Sequence, residues 1–211
     1  MLTHALTIIV NELTRHLAIY GPSSVPPVEL GNIAEGFKSG IDGSGVSRGV
    51  LVFSLVNIKE EKTLKNLPNY VRDMVTHTAR YENPPVFLNF QLLVVATHLN
   101  YAGALLMLSR AIRFFQATPL FTDTSVDPAS ITDNAPLNVL DRLAAFRLAF
   151  ELCSPTLEEI NHLWGTLGGK QYPFVLYTLR ALELRFHQVQ AENPLIEDVI
   201  NNFKHKNPVA S

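Results

Sequence analysis

The sequence predicts an α/β (α+β) fold, with a mixed, largely antiparallel sheet flanked by helices. Three observations indicate this class: amphipathic helical stretches, apolar runs typical of buried strands, and the lack of a predicted helix between the first two strong strands. Parallel neighbours need a crossover connection, usually a helix, so these two strands are expected to pair antiparallel. The predicted order is α, β, β, α, β, α, β, and the helices would cover one or both faces of the sheet.

The N-terminal part is expected to supply one helix and two strands. Apolar residues recur at spacings of three and four over residues 2–19, which predicts a helix with one buried face. A short strand is expected within residues 29–35, and a flexible glycine-rich loop over residues 36–47. Residues 49–58 and 85–98 are rich in Val, Leu and Phe and predict the two strong strands. The predicted apolar stripe of the helix consists of Leu2, Leu6, Ile9, Leu13 and Leu17.

The middle of the chain is expected to hold one regular helix between two irregular segments. Residues 66–84 are polar, with room for one helical turn near residues 71–75. Residues 100–117 show the helical period most clearly. Residues 119–141 carry prolines and aspartates, and a structureless stretch of this length is uncommon unless it has a function or a partner orders it. The predicted buried stripe of the helix is Tyr101, Leu105, Leu108, Ile112 and Phe115.

The last third of the chain is expected to add a strand, a helix and a final strand. Residues 142–152 fit either a strand or a helix, and their apolar alternation favours the strand. Ser154-Pro155 predicts an N-cap followed by proline at the first helical position, and Gly168-Gly169 predicts the end of that helix. Residues 173–187 are interpreted as the last strand.

Length and composition narrow the class of protein further. A chain of 211 residues suits one domain, expected over residues 1–190. A tail follows at residues 191–211, with room for a short helix at residues 195–203. Charged residues make up 17% of the chain, below the roughly 25% of an average soluble domain. Because 47% of the residues are hydrophobic, this composition favours a subunit that buries surface against others.

Charge and cysteine content exclude several functional classes. The chain has 17 basic and 19 acidic residues, so it lacks the basic excess of a nucleic-acid binder. Cys153 is the only cysteine, which excludes an internal disulfide. Glu12 and Arg15 interrupt the N-terminal apolar run too early for a leader peptide. No uncharged apolar stretch reaches the roughly 18 residues of a membrane span, so we expect cytoplasmic assembly without membrane insertion.

Two short motifs fail the structural context that their chemistry requires. Gly45–Gly49 (GVSRG) matches the pattern of a serine hydrolase, but a nucleophile elbow needs a strand before the serine and a helix after it. A small hydrolase using Ser47 is therefore only a remote alternative. Gly165–Lys170 (GTLGGK) lacks P-loop spacing and instead fits a helix end. The histidines show no zinc-type spacing, so no catalytic residue, metal site or cofactor is predicted.

Charged residues supply the candidate contacts between subunits. Glu60 and Glu61 are adjacent at a strand end and point to opposite faces, which makes them a poor catalytic pair. Their charge run is typical of a solvated strand edge or of a polar contact to a neighbouring subunit. Arg110 and Arg113 lie away from the centre of the predicted buried stripe and can pair with such acids across an interface. The candidate interface residues are Glu60, Glu61, Lys62, Arg110, Arg113 and Lys170.

Four stretches, taken in order, resemble one protein family. They are SLVNIKEEKTLKN (54–66), ENPPVFLNFQLLVV (82–95), LLMLSRAIRFFQATPLF (105–121) and LWGTLGGKQYPFVLYTLRALEL (163–184). Together they are similar to the tube terminator, or cap, proteins of extracellular contractile injection systems. These systems are the phage-tail-like particles typified by the antifeeding prophage and the related virulence cassettes. The likeness spans residues 54–184, and the N-terminal helix also fits the start of the family.

The resemblance implies an α/β tail-terminator fold and a six-fold ring. The ring would sit at the distal end of the inner tube, stop tube growth and help to complete the sheath. Its implied partners are further copies of the chain, the inner tube protein and the sheath protein, and the resemblance implies neither catalysis nor a cofactor. The alternative is a joining subunit of the same particle, at the tube–sheath or baseplate boundary.

Overall fold

The computed structural model describes residues 1–21, 27–38, 45–64, 70–73, 78–82, 85–184 and 189–194. Its α-helices are α1 (Leu2–Ala18), α2 (Tyr101–Ala117), α3 (Pro128–Thr132) and α4 (Leu157–Thr166). Its strands are β1 (Val28–Leu30), β2 (Leu51–Glu60), β3 (Tyr70–Asp73), β4 (Thr78–Glu82), β5 (Val86–Ala96), β6 (Leu120–Thr122), β7 (Arg147–Cys153), β8 (Phe174–Leu184) and β9 (Val189–Pro194). The chain divides into two units, Met1–Leu64 with Val86–Leu184, and Lys65–Pro85 with Arg185–Ser211.

The first unit contains a six-stranded sheet in the order β1-β2-β5-β8-β7-β6. Strands β1 and β2 are parallel, and the other neighbours are antiparallel. The two strong strands of the sequence, β2 and β5, pair antiparallel from Leu51 opposite Ala96 to Glu60 opposite Leu88. A register shift between Leu55 and Asn57 interrupts this pairing. The predicted mixed, largely antiparallel sheet with flanking helices is confirmed.

The buried halves of β2 and β5 are covered on both faces. Phe53 and Val94 face a large cluster that includes apolar residues of α1 and α2. Val52 and Val95 face a second cluster that contains Trp164 of α4. Side chains alternate between the faces of a strand, so a continuous apolar run requires cover on both sides. The sheet is therefore the middle layer of this unit.

Aromatic rings fill the centre of the larger cluster. The ring of Phe115 stacks on that of Phe150 with centroids 4.6 Å apart and lies 4.8 Å from the ring of Tyr177. Phe121 meets Phe150 edge to face at 5.7 Å. Such pairs add to the free energy gained from burying apolar area. The contacts join α2 to three neighbouring strands, β6, β7 and β8, and so fix the helix on the sheet.

The buried face of α2 differs from the predicted one. Leu108 and Phe115 are buried as expected, but Tyr101, Leu105 and Ile112 are exposed, so that part of the prediction was wrong. The helix faces the core with small residues between the large ones, and a small residue allows a close approach to the sheet. The larger apolar side chains are thereby left on the outer side. The buried residues of α2 are Ala104, Leu108, Ala111, Phe114 and Phe115.

Residues 119–141 are more regular than expected. They contain β6, α3 and a 3-10 turn at Val139–Asp141. The Asp127 carboxylate caps α3 by accepting a hydrogen bond from the Ala129 amide at 2.8 Å, and Pro128 begins the helix. An acidic N-cap followed by proline is a recognised start signal that outweighs the lack of apolar periodicity.

Several element boundaries also need correction. Of the short strand expected within residues 29–35, only the part up to Leu30 is strand, and Ile33–Glu35 form a 3-10 turn. The N-cap of α4 is Thr156 rather than Ser154, because the Thr156 hydroxyl and the Glu159 carboxylate form a reciprocal capping box. The expected helix at residues 195–203 lies outside the described residues.

The second unit contains a three-stranded antiparallel sheet in the order β3-β4-β9. Its strands replace the helical turn expected near residues 71–75, since Tyr70–Asp73 is a strand. The expected boundary between domain and tail, at residue 190, falls within β9. The division into one domain and a tail stays a prediction.

We predict that the first unit loses stability at alkaline pH through Tyr177. The side chain is 3% exposed, and burial raises the pKa of Tyr177 to about 12. An unfolded tyrosine ionises near pH 10, so the unfolded state releases the proton first. The free energy of unfolding should therefore fall as the pH rises from about 10 to about 12. Urea titrations at both ends of this range, on the wild type and Tyr177→Phe, measure the difference.

The Tyr177→Phe variant should lack this part of the alkaline loss. Tyr101→Phe is the matched control, because it removes the same hydroxyl group at an exposed position. An equal alkaline loss in the wild type and Tyr177→Phe would contradict the prediction.

Candidate interaction surfaces

An exposed apolar loop projects from the first unit. We call residues 134–142 the apolar arm. Its turn begins at Asn134, which has a φ of 56°, and Asn138 caps the 3-10 turn through a 3.0 Å bond from the Leu140 amide to its side-chain oxygen. Leu137 is 96% exposed, Val139 74% and Leu140 75%. An ordered loop that presents three apolar side chains to water is typical of an interaction site.

The buried histidine His4 holds the base of the arm. The Leu143 amide donates to His4 Nδ1 at 2.8 Å. Since Nδ1 accepts, the ring hydrogen lies on Nε2, which donates to the Ile131 carbonyl at 2.9 Å. Asn11 adds bonds from its amide nitrogen to the carbonyls of Ser130 and Asp133. The first helix thus fixes both ends of the segment that carries the arm.

A groove lies between the outer side of α2 and the segment before β8. Its volume is about 410 Å³. Exposed Tyr101 and Leu105 line one side, and aromatic rings from the segment before β8 line the other. We call this feature the α2 groove. Its lining residues are Tyr101, Leu105, Leu108, Gln171, Tyr172, Pro173 and Phe174.

The basic candidate residues lie outside the lining of the α2 groove. The Arg110 guanidinium lies over the Tyr20 ring at 4.2 Å, and its Nη1 contacts Met107 Sδ at 3.7 Å. Arg113 is exposed and has no ion-pair partner among the described residues, and the same holds for Lys170. Lys170 follows two glycines with positive φ that end α4, as the sequence predicted. These three candidate interface residues therefore lie on or beside the elements that line the groove.

The candidate residues at the end of β2 form a separate group. Residues 55–60 of β2 are all exposed, and they include Leu55, Val56 and Ile58. Glu61 accepts hydrogen bonds from the Thr63 hydroxyl at 2.6 Å and from the Asn89 side chain at 2.8 Å. These bonds, with that from Thr63 first, hold the pKa of the Glu61 carboxyl below its usual value.

Within the described residues, no ion pair joins this group to the arginines of α2. The expected pairing of Glu60, Glu61 or Lys62 with the arginines across an interface stays a prediction. The hydrogen bonds of Glu61 to Thr63 and Asn89 stabilise the end of β2. Lys62 begins a 3-10 turn and is exposed.

Ser47 takes part in a polar contact that joins the ends of the glycine-rich loop. Its hydroxyl donates to Glu29 Oε2 at 2.8 Å, and Lys38 Nζ donates to the Ser47 hydroxyl at 3.3 Å. The serine follows a loop and precedes β2, which is the opposite of a nucleophile elbow. Glu29 and Lys38 belong to no sequence motif with Ser47, so these partners could not be predicted from the sequence.

Other chemical sites give no stronger candidate. The described residues contain no cluster of three or more His, Cys, Asp or Glu side chains that could hold a metal ion. Cys153 is half-buried at the end of β7 and packs against the smaller apolar cluster. None of the helices in the described part of the chain combines the length and hydropathy that a bilayer span requires.

The fold and surfaces define an α+β protein with features suited to subunit contacts. The chain belongs to the Pvc16 N-terminal domain family, whose model matches residues 4–198. This confirms the family indicated by the four sequence stretches. No curated protein sequence matches the chain.

Solved structures share the fold, and two of them are described here. One is described as the PVC sheath/tube terminator, in the extended state, of an extracellular contractile injection system. Its TM-score is 0.57 at 9% sequence identity, and the match covers 96% of this chain and 64% of that one. The other is described as the anti-feeding prophage tube-terminating cap, with a TM-score of 0.54 and 12% identity, covering 92% of this chain and 60% of that one. This chain thus matches less than two thirds of the length of either protein.

We predict that His4→Ala loosens the base of the apolar arm. The change leaves the Leu143 amide and the Ile131 carbonyl without their buried partner, at a cost of about 2–4 kcal/mol in the free energy of unfolding. Hydrogen exchange should show faster exchange of the Leu143 amide, and urea titration should show the lost stability. Thr3→Ala, at the exposed neighbouring position, is the control. Unchanged protection of the Leu143 amide would argue against the role of His4 in holding the base of the arm.

We predict that Ser47→Ala leaves any ester hydrolysis by the purified protein unchanged. The Ser47 hydroxyl has a structural partner in Glu29, so its removal should cost about 1 kcal/mol of stability and no activity. A chromogenic ester assay checks this, with Ser109→Ala as the control serine. A robust activity that disappears only in Ser47→Ala would establish the hydrolase alternative.

Proposed function

We propose that this chain is a structural cap that ends the inner tube of a contractile injection particle. Membership of the Pvc16 N-terminal domain family, over residues 4–198, is the observation that carries the proposal. The fold shared with a sheath/tube terminator and with a tube-terminating cap supports it. The cap would lie at the end of the tube distal to the baseplate and leave no docking surface for the next ring.

The cap acts as a ring of identical subunits, and we propose six-fold symmetry from the family resemblance. Subunits in a closed ring meet head to tail, through two different surface patches. The exposed apolar arm and the α2 groove are features of that kind, since they lie on different elements of the first unit. The partners in this proposal are the neighbouring copies, the last ring of the inner tube and the sheath.

The proposed role requires binding rather than chemistry. Stopping a polymer needs only a subunit that binds the last ring and offers the next ring no matching surface. Ser47 is held by Glu29 and Lys38, which supports a structural role for the GxSxG segment. We therefore propose that the chain is not an enzyme and that it assembles in the cytoplasm as part of the particle.

We predict that deletion of the gene produces particles with overlong or ragged tubes and an open distal end. Without a cap, tube growth has no defined stop, so the length distribution should broaden. Electron microscopy of particles isolated from the deletion strain measures the lengths. Re-expression of the wild-type gene is the control and should restore a narrow distribution.

The alternative role as a joining subunit predicts a different result. Deletion would then leave capped tubes of normal length and produce defects where tube, sheath and baseplate meet. Uniform, capped particles in the deletion strain would contradict the cap proposal.

A further inference from the structure

We propose that His4 is a pH-sensitive switch, which holds the base of the apolar arm at neutral pH and releases it in acid. The side chain of His4 is buried, with 1% exposure, and it joins α1 to both ends of the segment that carries the arm. The inference concerns the conformation of a single chain and does not depend on the cap function.

The backbone partners of His4 fix the tautomer and the charge of its ring. The Leu143 amide can only donate, so Nδ1, which lies 2.8 Å away, must carry a lone pair. The Ile131 carbonyl can only accept, so the ring hydrogen lies on Nε2, 2.9 Å from that oxygen. Both ring nitrogens are thereby used, and this arrangement accommodates only one tautomer of the neutral ring.

A second ring proton has no place while the base of the arm is closed. It would put an N–H group at Nδ1 against the N–H group of Leu143, so that two donors would face each other in place of the hydrogen bond. The added positive charge would also be buried, and a buried charge is costly unless an opposite charge pairs with it. Protonation of His4 therefore requires the ring and Leu143 to separate.

The acidic groups near α1 do not supply such a pair. Among the described residues, the hydrogen bonds of the His4 ring go to backbone atoms. Asp127 and Asp133, on either side of α3, contact Arg15, and Glu12 accepts a bond from the Asp127 amide. Asp141 is exposed. On the other strand packed against α1, the Glu29 carboxylate accepts from Ser47.

Positive groups on these elements oppose a charged ring instead. His4 lies in the first turn of α1, which contains no acidic residue, so the positive end of the helix dipole acts directly on the ring. The amino group of Met1 is also cationic, and Arg142 immediately precedes Leu143. The other titratable groups on α1 and α2 are His16, Arg110 and Arg113, which lie near the opposite end of α1 or on the exposed side of α2.

Acid should therefore favour release of the arm. A histidine ring in water takes up its second proton near pH 6.5, as a rough reference value. Because the released state binds one more proton than the closed state, the ratio of closed to released arm should fall about tenfold for each pH unit below about 6. At neutral pH the ring is neutral in both states, and both hydrogen bonds hold the arm. The exposed Leu137, Val139 and Leu140 then keep a fixed position, which they lose in acid.

Hydrogen exchange of the Leu143 amide in the full-length protein measures the switch. Its protection, corrected for the pH dependence of intrinsic exchange, should be constant above about pH 7 and should fall about tenfold per pH unit below about 6. Protection that stays constant from about pH 7 to about pH 5 would overturn the proposal.

His4→Asn separates the titrating ring from its role as an acceptor. The asparagine side-chain oxygen can accept from the Leu143 amide but takes up no proton in this pH range. The acid loss of Leu143 protection should therefore disappear in this variant. His162→Asn is the matched control, because His162 is an exposed histidine of α4 and its removal should leave the acid loss unchanged. An equal acid loss in the wild type and His4→Asn would contradict the switch.

Nitrogen NMR of the wild-type histidine rings gives a measurement that does not depend on the stability of any variant. At neutral pH, the His4 signals should be those of a neutral ring with its hydrogen on Nε2. On acidification, the ring should become charged over the same pH range in which Leu143 loses its protection. A His4 ring that becomes charged while the Leu143 amide stays protected would show that the two events are not coupled and would overturn the proposal.

Discussion

The central strands of the main sheet are apolar on both faces over half of their length, and this constraint determines the rest of the first unit. Val52, Leu93 and Val95 would expose apolar surface if only one face were covered. Helices α1 and α2 therefore cover one face, and α4 covers the other. Strand β2 needs this cover only as far as Ser54, because its burial ends there. Residues 55–60 continue the strand and are exposed.

Helix α2 covers the larger cluster with one face and leaves apolar side chains exposed on the other. Helix α2 approaches the sheet through Ala104 and Ala111, so its large residues at 101, 105 and 112 remain on the outside. Burial of the Phe115 face and exposure of the Leu105 face are thus two results of one helix orientation. This second face is exposed to water in the described chain, and a subunit of the proposed ring could bury it.

Sequence patterns predicted the strong elements and missed those defined by contacts between distant residues. The Val- and Leu-rich runs identified β2 and β5 because continuous apolar sequence has few other uses. Periodicity placed α2 correctly but chose the wrong face, since short alanines carry little hydrophobic signal. The hydrogen bonds of His4 to Ile131 and Leu143 could not be predicted, because they join residues that are 127 and 139 positions apart. The candidate interface residues Arg110, Arg113 and Lys170 are not among the residues that line the α2 groove, and their role at an interface stays a prediction.

The hydrogen bonds of His4 also determine when the arm can become ordered during synthesis. The first helix leaves the ribosome early, whereas Leu143 follows much later, so the arm lacks its support until both segments have met. Contacts of such sequence separation form late in folding, because the intervening chain must first be closed into a loop. A nascent or misfolded chain consequently presents no organised arm to its neighbours. An ordered arm is therefore a property of the completed fold, because neither the first helix nor the arm segment supplies both partners of these bonds.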